Sequence, residues 1–233
     1  MRSCGFHGFL QSVSTDSRIC GFQDRDGEDV TTLYRCRTAL SEVRDQFRAI
    51  TPDRASWSAE VWPERVGLVV YRKGSKRIAE PMRWGIPSTI LNGGRNRRAV
   101  STSIRFNRVK VEKLARFDNP WRCLIVMDSF AYPSGPPGAR TRTWFGLDSR
   151  PVFAWTGVWA HIGEEKRYCG LLAEANLVVA GPSMPVILDP DDYKLWLGGR
   201  FDRATPLANR PYSEERMYTE ALGEPWNAVV EEA

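Results

Sequence analysis

The chain has 233 residues, of which 42% are hydrophobic and 26% are charged, as is ordinary for a globular protein. Its longest apolar runs, such as residues 66–71, are far too short to span a bilayer, and no apolar stretch typical of a secretory signal follows the N-terminus. These features exclude an integral membrane protein of the helical class. We expect a cytoplasmic monomer that has no membrane partner.

The sulfur and imidazole content excludes two further classes. The five cysteines form no Cys-x-x-Cys pair, and the two histidines stand alone. Scattered thiols in odd number, with so few histidines, argue against a disulfide scaffold and against a zinc site. We therefore expect free structural thiols, no metal and no cofactor.

Positive charge is concentrated in one stretch of the chain. Between Arg72 and Arg122 there are fourteen Lys or Arg and three Asp or Glu, a balance of +11, so that the rest of the +5 chain carries −6. A basic segment inside an otherwise acidic protein is typical of a polyanion partner. The same segment holds Trp84 and Trp121, which favours single-stranded nucleic acid over the alternative of a merely solvated basic surface.

The first half of the chain mixes short strands with one helix. Residues 32–36 predict a strand, and Thr38 is placed to cap a helix that runs to about Ile50. Residues 66–71 predict a buried strand that leads into a polar hairpin turn at 72–77. Residues 1–30 show little periodicity, so we expect a flexible N-terminal extension there.

The second half is dominated by strands. The clearest core strand is predicted at Arg122–Met127, and further strands are predicted at 143–147, 152–159, 168–172, 177–179 and 184–188. Asp189 followed by Pro190 is a typical helix start. Many short strands with few helices indicate an α+β fold with a mixed or antiparallel sheet. We predict one domain over residues 31–233.

The stretch Pro81–Pro87 combines a cation, a large aromatic residue and a glycine between two prolines. Gly85 permits a turn that a side chain would hinder, and the prolines restrict both flanks. Arg83 and Trp84 are then placed at the end of a strand, where they suit contact with a phosphate and stacking on a base. The alternative is a buried Trp84 beside a solvated Arg83.

Four motifs in this order resemble the SRAP family, the SOS response-associated peptidase-like proteins that bind abasic sites in DNA. The resemblance runs over about residues 30–200, and its motifs are Pro81-Met-Arg-Trp-Gly-Ile-Pro-Ser88, Ser103-Ile-Arg105, Arg122-Cys-Leu-Ile125 with Phe130, and Met184-Pro-Val-Ile-Leu188. It implies a β-rich domain with a basic groove for single-stranded DNA. On this resemblance the DNA-binding residues are Arg83, Trp84, Arg105, Arg108, Met184 and Pro185.

The resemblance also implies a chemistry. In the family an N-terminal cysteine attacks the aldehyde of the abasic site: its α-amine forms an imine and its thiol closes a thiazolidine ring. An Asn, a Glu and a His position the sugar and move protons. The same cysteine is thought to release the protein's own leader where one exists.

The chain departs from this chemistry at every catalytic position that we aligned. The cysteine falls on Thr31, the Asn on Ser103, the Glu on Ala131, and the His on Ala180 or Gly181. Because four positions differ together, the pattern predicts a pseudoenzyme. Cys4 is the fallback nucleophile, if a processed N-terminus exposes it.

Three functions therefore stay open at this point. The first is binding of single-stranded or abasic DNA in the basic groove without covalent capture. The second is an active abasic-site crosslinker or self-processing cysteine peptidase that uses Cys4 or another processed N-terminus. The third is a non-catalytic interaction module on the same scaffold, which would not depend on Arg83 or Arg105.

Overall fold

A computed structural model describes residues 33–92, 100–105, 121–179 and 181–228 of the chain. Strands make up most of this part. In chain order they are β1 Leu33–Arg35, β2 Glu60–Val61, β3 Val66–Lys73, β4 Lys76–Trp84, β5 Ile86–Pro87, β6 Val100–Ser101, β7 Ser103–Arg105, β8 Arg122–Met127, β9 Ser129–Ser134, β10 Thr141–Leu147, β11 Phe153–Ile162, β12 Glu165–Ala173, β13 Met184–Pro185, β14 Ile187–Leu188 and β15 Met217–Pro225. The helices are short: α1 Leu40–Phe47, α2 Ser88–Asn92, α3 Tyr193–Gly198 and α4 Phe201–Ala204.

Five strands close into a small barrel. The ring runs β12-β4-β3-β8-β11 and returns to β12, which pairs with both ends of the path. The pairing of β4 with β12 is parallel, whereas the other four pairings are antiparallel. The short strands β7 and β13 add to β12, and β14 adds to β11. The α+β, mixed-sheet fold predicted from the sequence is confirmed.

A second, antiparallel sheet in the order β15-β10-β9-β1-β2 packs against the barrel through β1. Tyr34 of β1 is buried, and its ring meets the rings of Trp84 and Trp155 edge-on, with centroids 5.2 and 6.2 Å away. The hydroxyls of Tyr34 and Tyr168 share a hydrogen bond. Gly67 makes this pair possible, because a Cβ there would overlap both hydroxyls.

Most predicted elements lie where the sequence placed them, and two differ for identifiable reasons. The strands over 66–71 and 122–127 are confirmed. The first helix begins at Leu40, two residues after Thr38, whose hydroxyl donates to the Glu42 carboxylate 2.7 Å away. The strand predicted at 177–179 is wrong, because the Asn176 side-chain oxygen accepts the backbone N–H groups of Val178 and Val179.

The described cysteines are buried free thiols, namely Cys36, Cys123 and Cys169. Burial raises the pKa of all three thiols, so they stay protonated at neutral pH. In the described part of the chain, no group of three or more His, Cys, Asp or Glu could hold a metal ion. Within the same residues, no helix is long and apolar enough to cross a membrane.

Asp189 precedes the 3-10 turn Pro190–Asp192, as predicted, but its carboxylate serves a different purpose from capping. No side-chain cap bond forms; instead the carboxylate accepts hydrogen bonds from Arg150 and Arg216. Partial burial alone raises the pKa of Asp189, but the hydrogen bonds from Arg216 and Arg150 outweigh it and lower the pKa to about 2. The ionised form is therefore favoured in the folded state.

This lowered pKa predicts a pH-dependent effect of the variant Asp189→Asn. The contribution of Asp189 is complete above its unfolded value of 3.8 and is lost as the pH falls through about 2. We expect Asp189→Asn to lose about 1 kcal/mol at pH 6, allowing for solvent screening of this one-third exposed group. Urea unfolding of both proteins should show the difference shrinking between pH 4 and pH 2. A difference that stays constant over this range, or an equal loss in the exposed control Asp191→Asn, would contradict the assignment.

Candidate functional site

Trp84 is part of the core. It is fully buried, its indole N–H donates to the backbone oxygen of Thr102 at 2.8 Å, and its ring lies parallel to that of Tyr168 with centroids 6.5 Å apart. The prediction that Trp84 stands at an exposed edge and stacks on a base is wrong in this structure. The alternative, a buried Trp84, is correct, because the closed barrel surrounds the end of β4.

Arg83 lies next to Trp84 but on the other face of β4, where it belongs to a cluster of two cations and two acids. It is the register partner of Arg167 on the parallel strand β12. Two like charges directly opposite repel each other. Glu165 pairs with both guanidinium groups, at 3.5 Å from Arg83 and 3.1 Å from Arg167. The backbone oxygen of Glu64 accepts a hydrogen bond from Arg83, and the Glu64 carboxylate accepts one from Arg167.

Gly85 explains why this cluster is tight. Its φ of +116° lies in the region that favours glycine, and a Cβ there would approach the Glu64 carboxylate to 2.8 Å. Glu64 itself has a φ of +67°. The turn predicted at Gly85 is therefore present, but it seats a carboxylate between arginines. Arg83 is 39% exposed and already paired with Glu165.

Arg105 and Arg83 lie on opposite faces of the large sheet. Arg105 of β7 is opposite Leu172 of β12, whereas Arg83 is opposite Arg167. Side chains alternate between the two faces along a strand, and positions 167 and 172 differ in parity. The pairing of β11 with β12 is regular over Glu165–Gly170, and the pairing of β7 with β12 continues over Gly170–Leu172. The two arginines therefore cannot form one wall of a groove.

Arg105 instead contributes to a polar cluster on the side of β12 that faces the second sheet. Its Nη2 donates to the hydroxyl of Ser183 at 3.3 Å. The hydroxyl of Tyr132, on β9, donates to the backbone oxygen of Ser183 at 2.5 Å. Ser183 is fully buried, while Arg105 is partly exposed. The cluster thus joins a partly exposed arginine to two buried hydroxyls.

Tyr132 was missed by the sequence analysis, which placed the Glu of the family's Phe-x-Glu motif on Ala131. Ala131 points to the other face of β9, where it packs with Leu33 and Trp144. The third position of a Phe-x-Glu motif that begins at Phe130 is position 132. The assignment to Ala131 is therefore wrong by one residue. Strand alternation, applied to the buried Phe130, could have revealed the error.

Two of the other positions aligned with the catalytic residues, Ser103 and Gly181, lie in the described part of the chain. Gly181 lies against Tyr132: a Cβ at Gly181 would be 3.6 Å from that ring. Ser103 lies two residues before Arg105 on β7, and is therefore on the same face. The remaining predicted residues lie outside the described part of the chain: Cys4, Thr31, Arg108 and Ala180.

Met184 and Pro185 were predicted to contact DNA, and the structure buries both. They form β13 and pair with Ala173 and Leu172 of β12. A fully buried methionine offers no surface to a nucleic acid. These two residues position Ser183, which immediately precedes them, and they do not form a binding surface in this conformation. The Met184-Pro185 motif therefore reflects a structural role of these two residues.

Part of the basic segment has a structural role. Arg77 donates to the backbone oxygen of Phe47 at 2.8 Å, where α1 ends. Arg72 and Arg122 donate to backbone oxygens at 198–199, where α3 ends. Cations stabilise helix C-termini, whose free carbonyls carry partial negative charge. The count of positive charges in this segment therefore overstates the charge available to a partner.

The cluster is formed by Arg105, Tyr132 and Ser183, and Ser103 lies on the same face of β7. Together they offer one guanidinium, one phenol hydroxyl and two serine hydroxyls. Guanidinium and hydroxyl donors suit the oxygens of a phosphate or a sugar. None of these four side chains is a carboxylate, an imidazole or a thiol. The cluster is therefore equipped to bind an oxyanion, whereas it lacks the groups that activate a nucleophile.

Comparison with known proteins gives a family and a fold. The family model described as SOS response associated peptidase (SRAP) matches residues 32–227. A solved protein of Bordetella bronchiseptica superposes with a TM-score of 0.65 at 20% identity, covering 82% of this chain and 99% of that chain. One from Bacteroides thetaiotaomicron gives 0.67 at 10% identity, covering 82% and 91%. A phage-related protein of Bordetella bronchiseptica gives 0.64 at 14% identity, covering 82% and 93%. Among curated proteins the sequence has no match.

Proposed function

The chain belongs to the SRAP family, and on this basis we propose that it is a DNA-damage-response protein that binds single-stranded or abasic DNA without covalent capture. The observation that carries the proposal is the cluster around Arg105. It supports the proposal because Tyr132 and Gly181, at positions that the resemblance aligns with catalytic residues, lie side by side there and carry neither a carboxylate nor an imidazole.

Binding is supported by the chemistry of the cluster. Arg105 is partly exposed, and a guanidinium suits a phosphate because it can donate two parallel hydrogen bonds. Phosphate contacts supply most of the affinity of proteins that bind nucleic acids without sequence preference. The balance of +11 over Arg72–Arg122 adds long-range attraction for a polyanion, reduced by the arginines that cap helices.

The absence of covalent capture follows from the identities at the aligned positions. A thiazolidine needs an amine and a thiol on one residue, and the sequence places Thr31 at the family's cysteine position. Proton transfer needs a carboxylate or an imidazole. The motif positions carry Ser103, Tyr132 and either Ala180 or Gly181, none of which is a carboxylate or an imidazole.

Two measurements test the two halves of the proposal. Fluorescence anisotropy with a labelled single-stranded 20-mer should detect binding at 50 mM salt, weakened on the order of tenfold at 200 mM if about three phosphates are contacted. A denaturing gel of the protein with an abasic oligonucleotide should show no crosslinked band. The absence of binding at 50 mM salt would refute DNA binding. A crosslinked band would refute the non-covalent mode and favour a processed N-terminus such as Cys4.

A further inference from the structure

Tyr132 and Arg105 both contact Ser183, Tyr132 at its backbone oxygen and Arg105 at its hydroxyl. Tyr132 is 3% exposed, and its ring centroid lies 6.1 Å from that of Phe130 and 6.0 Å from that of Phe145. Its hydroxyl is hydrogen-bonded to the backbone oxygen of Ser183 at 2.5 Å. The ring is thus held at its hydroxyl end and along its aromatic neighbours.

Gly181 shows how closely the ring approaches the facing backbone. A Cβ at this position would be 3.6 and 3.8 Å from two carbons of the Tyr132 ring, which is ordinary van der Waals contact. The segment that carries Gly181 and Ser183 therefore packs directly on the tyrosine. A ligand that binds the backbone oxygen of Ser183 would have to take the place of the Tyr132 hydroxyl, which already donates to it.

This arrangement divides the cluster into an open part and a closed part. Arg105 and Ser103 are partly exposed, whereas Tyr132 and Ser183 are buried. Arg105 is therefore a member of the cluster that a phosphate in solution can approach, since Tyr132 and Ser183 are buried. A deoxyribose ring inserted towards Ser183 would have to displace the tyrosine and break its hydrogen bond.

We propose that Tyr132 is a specificity-determining residue that closes the site to the sugar of an abasic nucleotide and leaves it open to the phosphate backbone of any single strand. This inference rests on the proposed DNA binding and narrows its ligand. Phosphate contacts carry no information about the base. The protein should therefore bind intact and abasic single strands with equal affinity.

Removal of the Tyr132 ring should make the protein bind the abasic strand more tightly than the intact strand. Tyr132→Ala opens space beside the Ser183 backbone oxygen, which then lacks its donor. The hydroxyl of a deoxyribose ring can supply that donor, and a buried acceptor favours a ligand that satisfies it. Tyr132→Phe loses the hydrogen bond but keeps the ring, and so separates the effect of volume from the effect of the hydroxyl.

The experiment compares dissociation constants for two single-stranded oligonucleotides of one sequence, one intact and one with a central abasic deoxyribose, whose ring form keeps the C1 hydroxyl. We expect the two constants to agree within about twofold for the native protein and for Tyr132→Phe. For Tyr132→Ala we expect the abasic strand to bind about fivefold more tightly, as one hydrogen bond to a buried acceptor allows. Tyr132→Val, which suits a strand, replaces the alanine variant if that variant does not fold.

Two results would overturn the inference: equal affinities in both ring-deleted variants, or a preference above fivefold for the abasic strand in the native protein. If the native protein binds neither strand, the proposed function fails, and the closed site is tested by itself. Deoxyribose 5-phosphate titrated into Tyr132→Ala and native protein, followed by amide chemical shifts, should then bind the variant alone. Binding to both or to neither would overturn the role of Tyr132.

Discussion

Replacement of Glu60 by alanine is expected to lower the free energy of unfolding by about 3–5 kcal/mol, the cost of removing one partner from a buried ion pair. Glu60 lies on β2 with its side chain only 8% exposed. One carboxylate oxygen accepts from Arg35 at 3.0 Å and the other accepts from Arg142 at 2.9 Å. Arg142 is 1% exposed, so the loss of Glu60 leaves a guanidinium in the interior with less compensation.

The effect should be large because the same two arginines join distant parts of the second sheet. The guanidinium of Arg35 lies over the ring of Trp144, 3.5 Å from its centroid. Arg142 donates to the backbone oxygens of Trp226 and Ala228, which follow β15. A cation in this network that turns towards water must give up these contacts. The loss therefore extends beyond the single ion pair.

Urea unfolding followed by tryptophan fluorescence measures this prediction. Glu220→Ala is the matched control, because Glu220 is exposed on β15, and its replacement should cost less than about 0.5 kcal/mol. Glu60→Gln keeps the shape but not the charge, and should lie between the two. A loss below 1 kcal/mol for Glu60→Ala would show that Glu224, 3.5 Å from Arg142, compensates by itself.

Replacement of Arg105 by alanine is expected to weaken single-stranded DNA binding by about 10- to 100-fold, equivalent to the 1.5–3 kcal/mol of a charge-assisted hydrogen bond. Arg83→Ala should change affinity by less than about threefold. Its guanidinium is already engaged by Glu165 and the Glu64 backbone oxygen, and it lies on the opposite face of the sheet. Both residues contribute one positive charge, so the comparison separates position from charge.

The measurement is anisotropy at two salt concentrations for both variants and for Arg105→Lys. The lysine variant keeps the charge but loses the planar pair of donors, and should recover only part of the affinity. The salt slope should fall for Arg105→Ala, which removes one phosphate contact. Equal losses in Arg83→Ala and Arg105→Ala would contradict the assignment of the site to one face. Such a result would favour a strand that wraps around both.

Secondary-structure elements that are indicated by a short stretch of residues were predictable from the sequence. The run Arg122–Met127 is apolar after its first residue, as a strand buried on both faces requires, and it is β8 to the residue. The hairpin turn at 72–77 follows from its glycine and polar residues. The many short strands with few helices indicated the α+β fold class, which the structure confirms.

The sequence did not predict which side chains of the family motifs are exposed to solvent. Trp84 next to Arg83 is compatible with either an exposed or a buried aromatic, and only closure of the barrel by β4 and β12 decides between them. Tyr132 was not recognised as a site residue, although the spacing of the Phe-x-Glu motif pointed to position 132. Its role depends on Gly181 and Ser183, which lie some fifty residues away in sequence and reach it only through the pairing of β13 with β12.

The stretch Pro81–Pro87 shows most clearly which features the sequence determined and which features the tertiary structure decided. The sequence by itself determined that a turn follows Trp84, since Gly85 adopts a backbone conformation that other residues rarely reach. It also determined the family, through motifs that are local in the chain. Only the tertiary structure decided which face each side chain occupies. The physical reason is that side chains alternate between the two faces of a strand, and a face becomes interior or exterior only when a partner strand fixes the register. For Arg83 and Arg105 that partner is β12, which lies more than sixty residues further along the chain.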